Sequence, residues 1–163
     1  MIRLRPATLD DLNLLEYWDT QPHVIASDPD EDWDWTYELG RNPTWREQLI
    51  AELNGKPMGC IQIIDPFLEE SGYWHPVEKN KRAIDIWIGE AEDLGKGYGT
   101  QIMELAIQRC FQETNVSSIL VDPLESNTKA HNFYQKLGFV HVENRIFNET
   151  PCKIFELKRV SEA

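Results

Sequence analysis

Between a run of β-branched and aromatic residues and a run with helical spacing, the chain places glycine at every second position: Leu94-Gly95-Lys96-Gly97-Tyr98-Gly99-Thr100. Ala83-Ile84-Asp85-Ile86-Trp87-Ile88-Gly89 ahead of it reads as a strand. Behind it, Met103, Ala106, Ile107 and Cys110 fall at i, i+3, i+4 and i+7, the apolar stripe of a helix. A strand must therefore pass into a helix through a loop whose backbone approaches a ligand closely and turns amide N–H groups outward, a cradle suited to phosphate. The loop is not a Walker motif, because no Gly-Lys-Ser/Thr ends it, and it lacks dinucleotide-fingerprint spacing. From the glycines alone, a purely structural turn stays open as a competing reading.

The flanking segments fill in the order of elements. Ile2 to Arg5 alternates like a short strand, and Thr8-Leu9-Asp10-Asp11 offers a capped helix start with Leu12, Leu15 and Trp18 as its buried stripe. From there to about Pro43 the chain is rich in Pro, Asp and Trp without a period, which predicts a long loop with room for a short helix. Trp45 to Leu53 and Pro57 to Ile64 are joined by Asn54-Gly55, a type I′ hairpin signal. After the glycine loop and its helix come a strand over Ser118 to Val121 and a helix capped by Asn127, with Ala130, Phe133, Tyr134 and Leu137 as its stripe and Gly138 as its stop. Strands near Phe139 to Phe147 and Cys152 to Leu157 close an α+β, or mixed α/β, sheet with helices on its faces.

At 163 residues the chain suits a single domain over residues 1–163. No segment approaches the roughly 20 consecutive apolar residues of a membrane span, and no apolar signal-peptide core follows Met1, so a cytoplasmic, membrane-free protein is expected. The net charge of −12 argues against nucleic acid. Residues 1–80 carry 6 Lys/Arg against 16 Asp/Glu, whereas the remainder is nearly neutral. That asymmetry is either a solvated acidic surface or an electrostatic funnel for a cationic substrate. Cys60, Cys110 and Cys152 lie far apart in apolar segments and read as reduced packing residues, with no metal expected.

The run Asn127-Thr-Lys-Ala130-His-Asn-Phe133-Tyr134-Gln-Lys-Leu-Gly138-Phe139, together with Gly97 and Gly99 of the loop, resembles the signatures of the GNAT superfamily of N-acetyltransferases. Leu94 departs from the Gln or Arg that usually opens the superfamily's loop. The segments Ile84-Asp85, Leu94 to Thr100 and Asp122-Pro123-Leu-Glu-Ser-Asn127, with Asn54 to Gly59, Trp74, and Trp18 followed by His23, resemble one branch, the aminoglycoside 6′-N-acetyltransferases. The resemblance implies the GNAT fold: a central, mostly antiparallel sheet of six to seven strands with one splayed pair and flanking helices. It also implies acetyl-CoA as co-substrate without a metal, a small cationic amine as acceptor, and a monomer or homodimer.

By the same resemblance the amine attacks the thioester directly in a ternary complex, so no covalent nucleophile is needed. Cofactor contacts are expected from Trp87, Ile88 and Gly89, one of whose amides polarises the thioester carbonyl, from Leu94, Gly95, Lys96, Gly97, Tyr98, Gly99 and Thr100, and from Asn127, Ala130 and Tyr134. Asp85 and Asp122 are placed in the amine pocket, and Tyr134 is placed beside the CoA sulfur as proton donor. Each has a plainer reading: a structural hydrogen-bonded Asp, a turn-forming Asp before Pro123, and a core tyrosine. An acid between Ile84 and Ile86 is costly to bury without a partner, which favours function for Asp85. Acceptor contacts are expected from Asp32, Trp33, Trp35 and Trp74 on two loops rich in acids and indoles. Competing readings are a polyamine, hydroxylamine or protein N-terminal acetyltransferase, and a non-catalytic acyl-CoA-binding module; the joint presence of Asp85, Asp122 and Tyr134 argues against the last.

Overall fold

A computed structural model describes residues 1–29 and 33–160. The chain runs β1 (Ile2–Pro6), a 3₁₀ turn (Leu9–Asp11), α1 (Leu12–Trp18), α2 (Pro22–Ser27), α3 (Trp35–Leu39), β2 (Arg46–Leu53), β3 (Lys56–Ile64) and β4 (Lys81–Ile88). After a second 3₁₀ turn follow α4 (Tyr98–Gln112), β5 (Ser118–Val121), α5 (Thr128–Lys136), β6 (Val140–Phe147) and β7 (Thr150–Lys158). The strands form one seven-stranded sheet in the order β1-β2-β3-β4-β5-β7-β6, in which β4 and β5 pair in parallel and the other neighbours pair antiparallel.

Local chemistry explains the elements. Thr8 and Asp11 form a reciprocal capping box, and the Asp11 carboxylate also holds Arg5 of β1. Asn54 and Gly55 take φ of 52° and 84°, the type I′ turn joining β2 to β3. The Asn127 side chain accepts from the Ala130 N–H at the start of α5, and Gly138, at φ 100°, ends it. The second hairpin turns through Asn148 and Glu149, both at positive φ without a glycine.

Alternation along β4 divides the molecule. Ile84 and Ile88 face a core shared with Ile102, Met103 and Ala106 of α4 and Tyr134 of α5. Ala83, Asp85 and Trp87 face the opposite side, where Trp74 and Phe147 pack at one end and Leu15, Trp18 and Trp35 at the other. Two details correct the expected pattern. The aperiodic segment after α1 contains two short helices, one capped by the Asp34 side chain. On α5 the buried side chains are His131 and Tyr134, while Ala130, Phe133 and Leu137 of the expected stripe pack against the core partly covered.

The strands β4 and β5 touch over three residue pairs, Lys81↔Ser118, Arg82↔Ile119 and Ala83↔Leu120, and then diverge. At the paired end the Glu156 carboxylate of β7 accepts from Lys81 Nζ and Ser118 Oγ, clipping three strands together. Beyond Ala83 the register between the two strands ends, and a wedge opens in the middle of the sheet.

Candidate active site

The β3–β4 register fixes which backbone groups look into the wedge. Gly89 N–H donates to the Met58 carbonyl at 2.9 Å, and Gly59↔Ile88 and Cys60↔Trp87 are opposite pairs. By alternation the amides of Asp85, Trp87 and Gly89 face β3, whereas those of Ile86 and Ile88 face the missing partner. Of the three residues expected to supply an amide to the thioester, only Ile88 is oriented for it. The Gly89 amide is committed to β3, and its lack of a side chain is demanded by packing. A Cβ there would lie 2.0 Å from the Trp18 ring, so glycine lets α1 dock against the end of β4. Trp87 sends its side chain to the far face, against Trp33 and Trp35. His23, from α2, bonds the Ile88 carbonyl at 2.7 Å through Nε2, the donor because a carbonyl only accepts.

The wedge leads into a cavity of about 670 Å³. Asp85 lies on its wall, accepting from Gln62 Nε2 at 3.3 Å; Gln62 Oε1 accepts in turn from Gln48 Nε2 at 3.2 Å, a polar ladder across three strands. Asp122, immediately after β5, stands across the wedge and accepts from the Tyr73 hydroxyl at 2.6 Å. Asp28, just past α2, and Tyr134 of α5 line the same space. Burial and then the charge of Asp28 push the Asp85 carboxyl up to about 6, against the Gln62 amide. Burial and the neighbouring Asp85 drive Asp122 well above the carboxylate range. Burial, then Asp85 and Asp122, raise the Tyr134 hydroxyl, which therefore keeps its proton. These three expected residues thus share one electrostatic neighbourhood. The cations on the cavity wall, Arg41 and Arg46, are engaged by Glu38 and Glu70.

The expected aromatic contacts divide. Trp33 and Trp74 line the cavity, but Trp74 is only 3% exposed, held edge-on to Phe147. Trp35 is buried beneath Trp33 with its indole N–H on Asp19, so it offers no free face. Asp32 lies outside the described residues. Local sequence patterns assign no individual role to Gln62, Tyr73, His23 or Asp28. Asp28 and Tyr73 fall on the two loops expected to meet the acceptor, His23 falls in the branch resemblance, and a lone glutamine stands out within Cys60-Ile61-Gln62-Ile63-Ile64, but the individual contacts depend on loop paths and strand register.

The glycine loop stands at the head of α4. Gly95 and Gly97 take φ of 75° and 82° with open space where a Cβ would be, and Gly97 caps the helix without a side chain. The first-turn amides of a 15-residue helix there face outward beside exposed Lys96 and Thr100. A Cβ at Gly99 would meet the Phe133 ring of α5 at 3.4 Å, an ordinary contact, and Tyr98 rests against the core. The Ala130 amide is taken by the Asn127 cap. Among the described residues, no group of three or more His, Cys, Asp and Glu is arranged to hold a metal ion, and no helix is long and apolar enough to cross a membrane.

A sheet parted between two parallel strands, a helix N-terminus with open glycines at one mouth and a carboxylate-lined cavity at the other define an enzyme that brings an acylated cofactor to an amine. Residues 7–147 match the acetyltransferase (GNAT) domain family. An aminoglycoside N(6′)-acetyltransferase type 1 of Klebsiella pneumoniae is 31% identical over 155 residues, covering 85% of this chain and 73% of that protein. A kanamycin resistance protein of Rhizobium radiobacter is 36% identical over 74 residues, covering 44% and 68%. The crystal structure of aminoglycoside acetyltransferase AAC(6′)-Ib with coenzyme A superposes with a TM-score of 0.86 at 26% identity, covering 98% of this chain and 95% of that one. The chain belongs to the GNAT acetyltransferase family. It is an acetyl-CoA-dependent N-acetyltransferase.

Proposed function

We propose that the acceptor is a small polycationic amine of the aminoglycoside type, acetylated at its 6′-amino group by direct attack in a ternary complex. The observation that carries this reading is the convergence of Asp28, Asp85 and Asp122 on one cavity of about 670 Å³, a volume suited to a drug-sized ligand. Neighbouring carboxylates that repel one another gain most from a ligand with more than one ammonium group. The relative from Klebsiella pneumoniae and the AAC(6′)-Ib structure solved with coenzyme A and kanamycin support the same acceptor class.

In this reading the CoA pyrophosphate rests on the amides of Gly95 to Gly99 at the head of α4. The pantetheine arm enters the wedge, and the Ile88 N–H polarises the thioester carbonyl. Asp85 takes a proton from the acceptor's ammonium, for which a carboxyl near 6 is well matched at neutral pH. The free amine attacks the carbonyl carbon, the C–S bond breaks, and Tyr134 protonates the departing thiolate; the second proton, which the nitrogen gives up as it becomes an amide, restores the Tyr134 hydroxyl, and Asp85 passes the first to solvent.

Thiol release from acetyl-CoA, measured against a panel of aminoglycosides, polyamines, peptides and a simple monoamine, tests the proposal. We expect the highest kcat/KM with an aminoglycoside such as kanamycin, and a product acetylated at the 6′-amine by NMR. Preference for a polyamine would move the acceptor class, and a monoamine turned over as fast would refute polycation recognition.

A further inference from the structure

We propose that Tyr73 is a positioning residue for acetyl transfer: its hydroxyl fixes Asp122 on the acceptor side of the wedge, so that the Asp122 carboxyl group meets the acceptor amine in one orientation. The inference rests on the functional reading above and adds a residue to it.

Tyr73 comes from the loop between β3 and β4, and Asp122 lies 49 positions further along the chain. The ring lies flat against Phe147, with centroids 4.3 Å apart and planes 10° off parallel, and edge-on to Trp74. The loop is secured from below, where the Trp74 carbonyl accepts from Arg145 Nη1 at 2.7 Å, and from within, where the Tyr73 N–H meets Ser71 Oγ at 3.2 Å. A ring clamped in this way presents its hydroxyl at one point. That point is Asp122 Oδ2, and the phenol stays protonated there, because burial and the Asp122 charge both raise its pKa.

The two carboxylates across the wedge therefore have unequal partners. Asp122 has a hydroxyl at 2.6 Å, the short distance of a charge-assisted bond, whereas Asp85 has an amide at 3.3 Å. Asp122 is faced by Asp85 from β4, Asp28 from beyond α2, Tyr134 from α5 and Tyr73 from its loop, with Cys152 of β7 beside the phenol. Burial first, then Asp85 and Asp28, raise the Asp122 carboxyl, and among the side chains facing it the Tyr73 hydroxyl is the one that favours its anion. With Oδ2 held by the hydroxyl, the carboxyl group is presented to the acceptor in one orientation.

The test is Tyr73→Phe, which keeps the stacked ring and removes the hydroxyl. With kanamycin, or whichever amine the wild type prefers, we expect the acceptor KM to rise about tenfold at pH 7.5. The acid limb of kcat/KM should move to higher pH by about one unit. The KM for acetyl-CoA and the melting temperature should be unchanged, and in an Asp122→Asn background the same substitution should add little. A wild-type acceptor KM and pH profile in Tyr73→Phe would overturn the proposal, as would a fall in kcat alone. Equal weakening for both substrates with a lowered melting temperature would also overturn it, by making Tyr73 a structural prop. The functional reading is judged separately, on the wild type: preference for an aminoglycoside upholds it while Tyr73→Phe decides the positioning role, and no turnover of any amine refutes both.

Discussion

Asp85 is the residue at which stability and chemistry oppose each other. Burial first and Asp28 second raise its carboxyl from the usual 3.8 to about 6, so the folded protein holds a proton there that the unfolded chain has released. Stability contributed by that proton is present below about pH 4 and is lost as pH rises towards 6, because the native state binds more protons across that window. Asp85→Asn should therefore stabilise the protein at pH 8, on the order of 2 kcal/mol, and change little at pH 3.5. Urea unfolding at the two pH values measures the difference. The same substitution removes the proton acceptor and should lower kcat/KM by about 10²–10⁴. In the unsubstituted enzyme, activity should fall as pH drops through about 6. A mutant more stable and far less active is the expected pairing, and one that is destabilised at pH 8 would contradict it.

At the scale of elements, the joint between α1 and β4 sets the open end of the wedge. Gly89 admits Trp18, whose indole N–H reaches Glu90 Oε1 at 3.3 Å, so the helix is seated where the strand ends. Gly89→Ala overpacks that joint and should cost about 1–3 kcal/mol, read as a lowered melting temperature with reduced acetyl transfer. A melting temperature equal to that of wild type would mean that the joint adjusts freely. This residue shows how far the sequence can be read. The period-two and period-3.6 patterns, the Asn54-Gly55 hairpin, the Asn127 cap and the positive-φ glycines of the loop follow from short-range chemistry, and the splayed pair follows from family resemblance. Asp85, Asp122 and Tyr134 stand out by motif and by the cost of burial, and they lie around one cavity. Gly89 looks in the sequence like part of a ligand-binding strand end, yet the ring it accommodates, Trp18, comes from a helix far earlier in the chain. Trp35 looks like a stacking platform and is instead covered, because nothing in its own segment tells that Trp33 lies over it. The contacts of Gln62, His23 and Tyr73 with the site are set by register and loop path, which no local pattern encodes.

Across the whole molecule the charge is placed where the ligands would need it. The acidic first half supplies Asp28, Asp34, Glu38 and Glu69 to the cavity rim, while the head of α4, where an anionic cofactor would lie, carries Lys96. Between these two mouths runs the gap in the sheet, and its geometry has a dynamic consequence. Strands β1 to β4 and strands β5 to β7 are two leaves bound along a hem of three residue pairs, with the Lys81–Glu156–Ser118 clip as its stitch. A central strand is ordinarily the slowest part of a protein to exchange its amide hydrogens with deuterated water. Here the amides of Ile86 and Ile88 should exchange orders of magnitude faster than those of Asp85 and Trp87 beside them, which are committed to β3. Saturation with acetyl-CoA should slow Ile88 selectively. Equal protection along the whole of β4, with or without cofactor, would mean that the leaves are closed in solution and that the thioester meets some other donor.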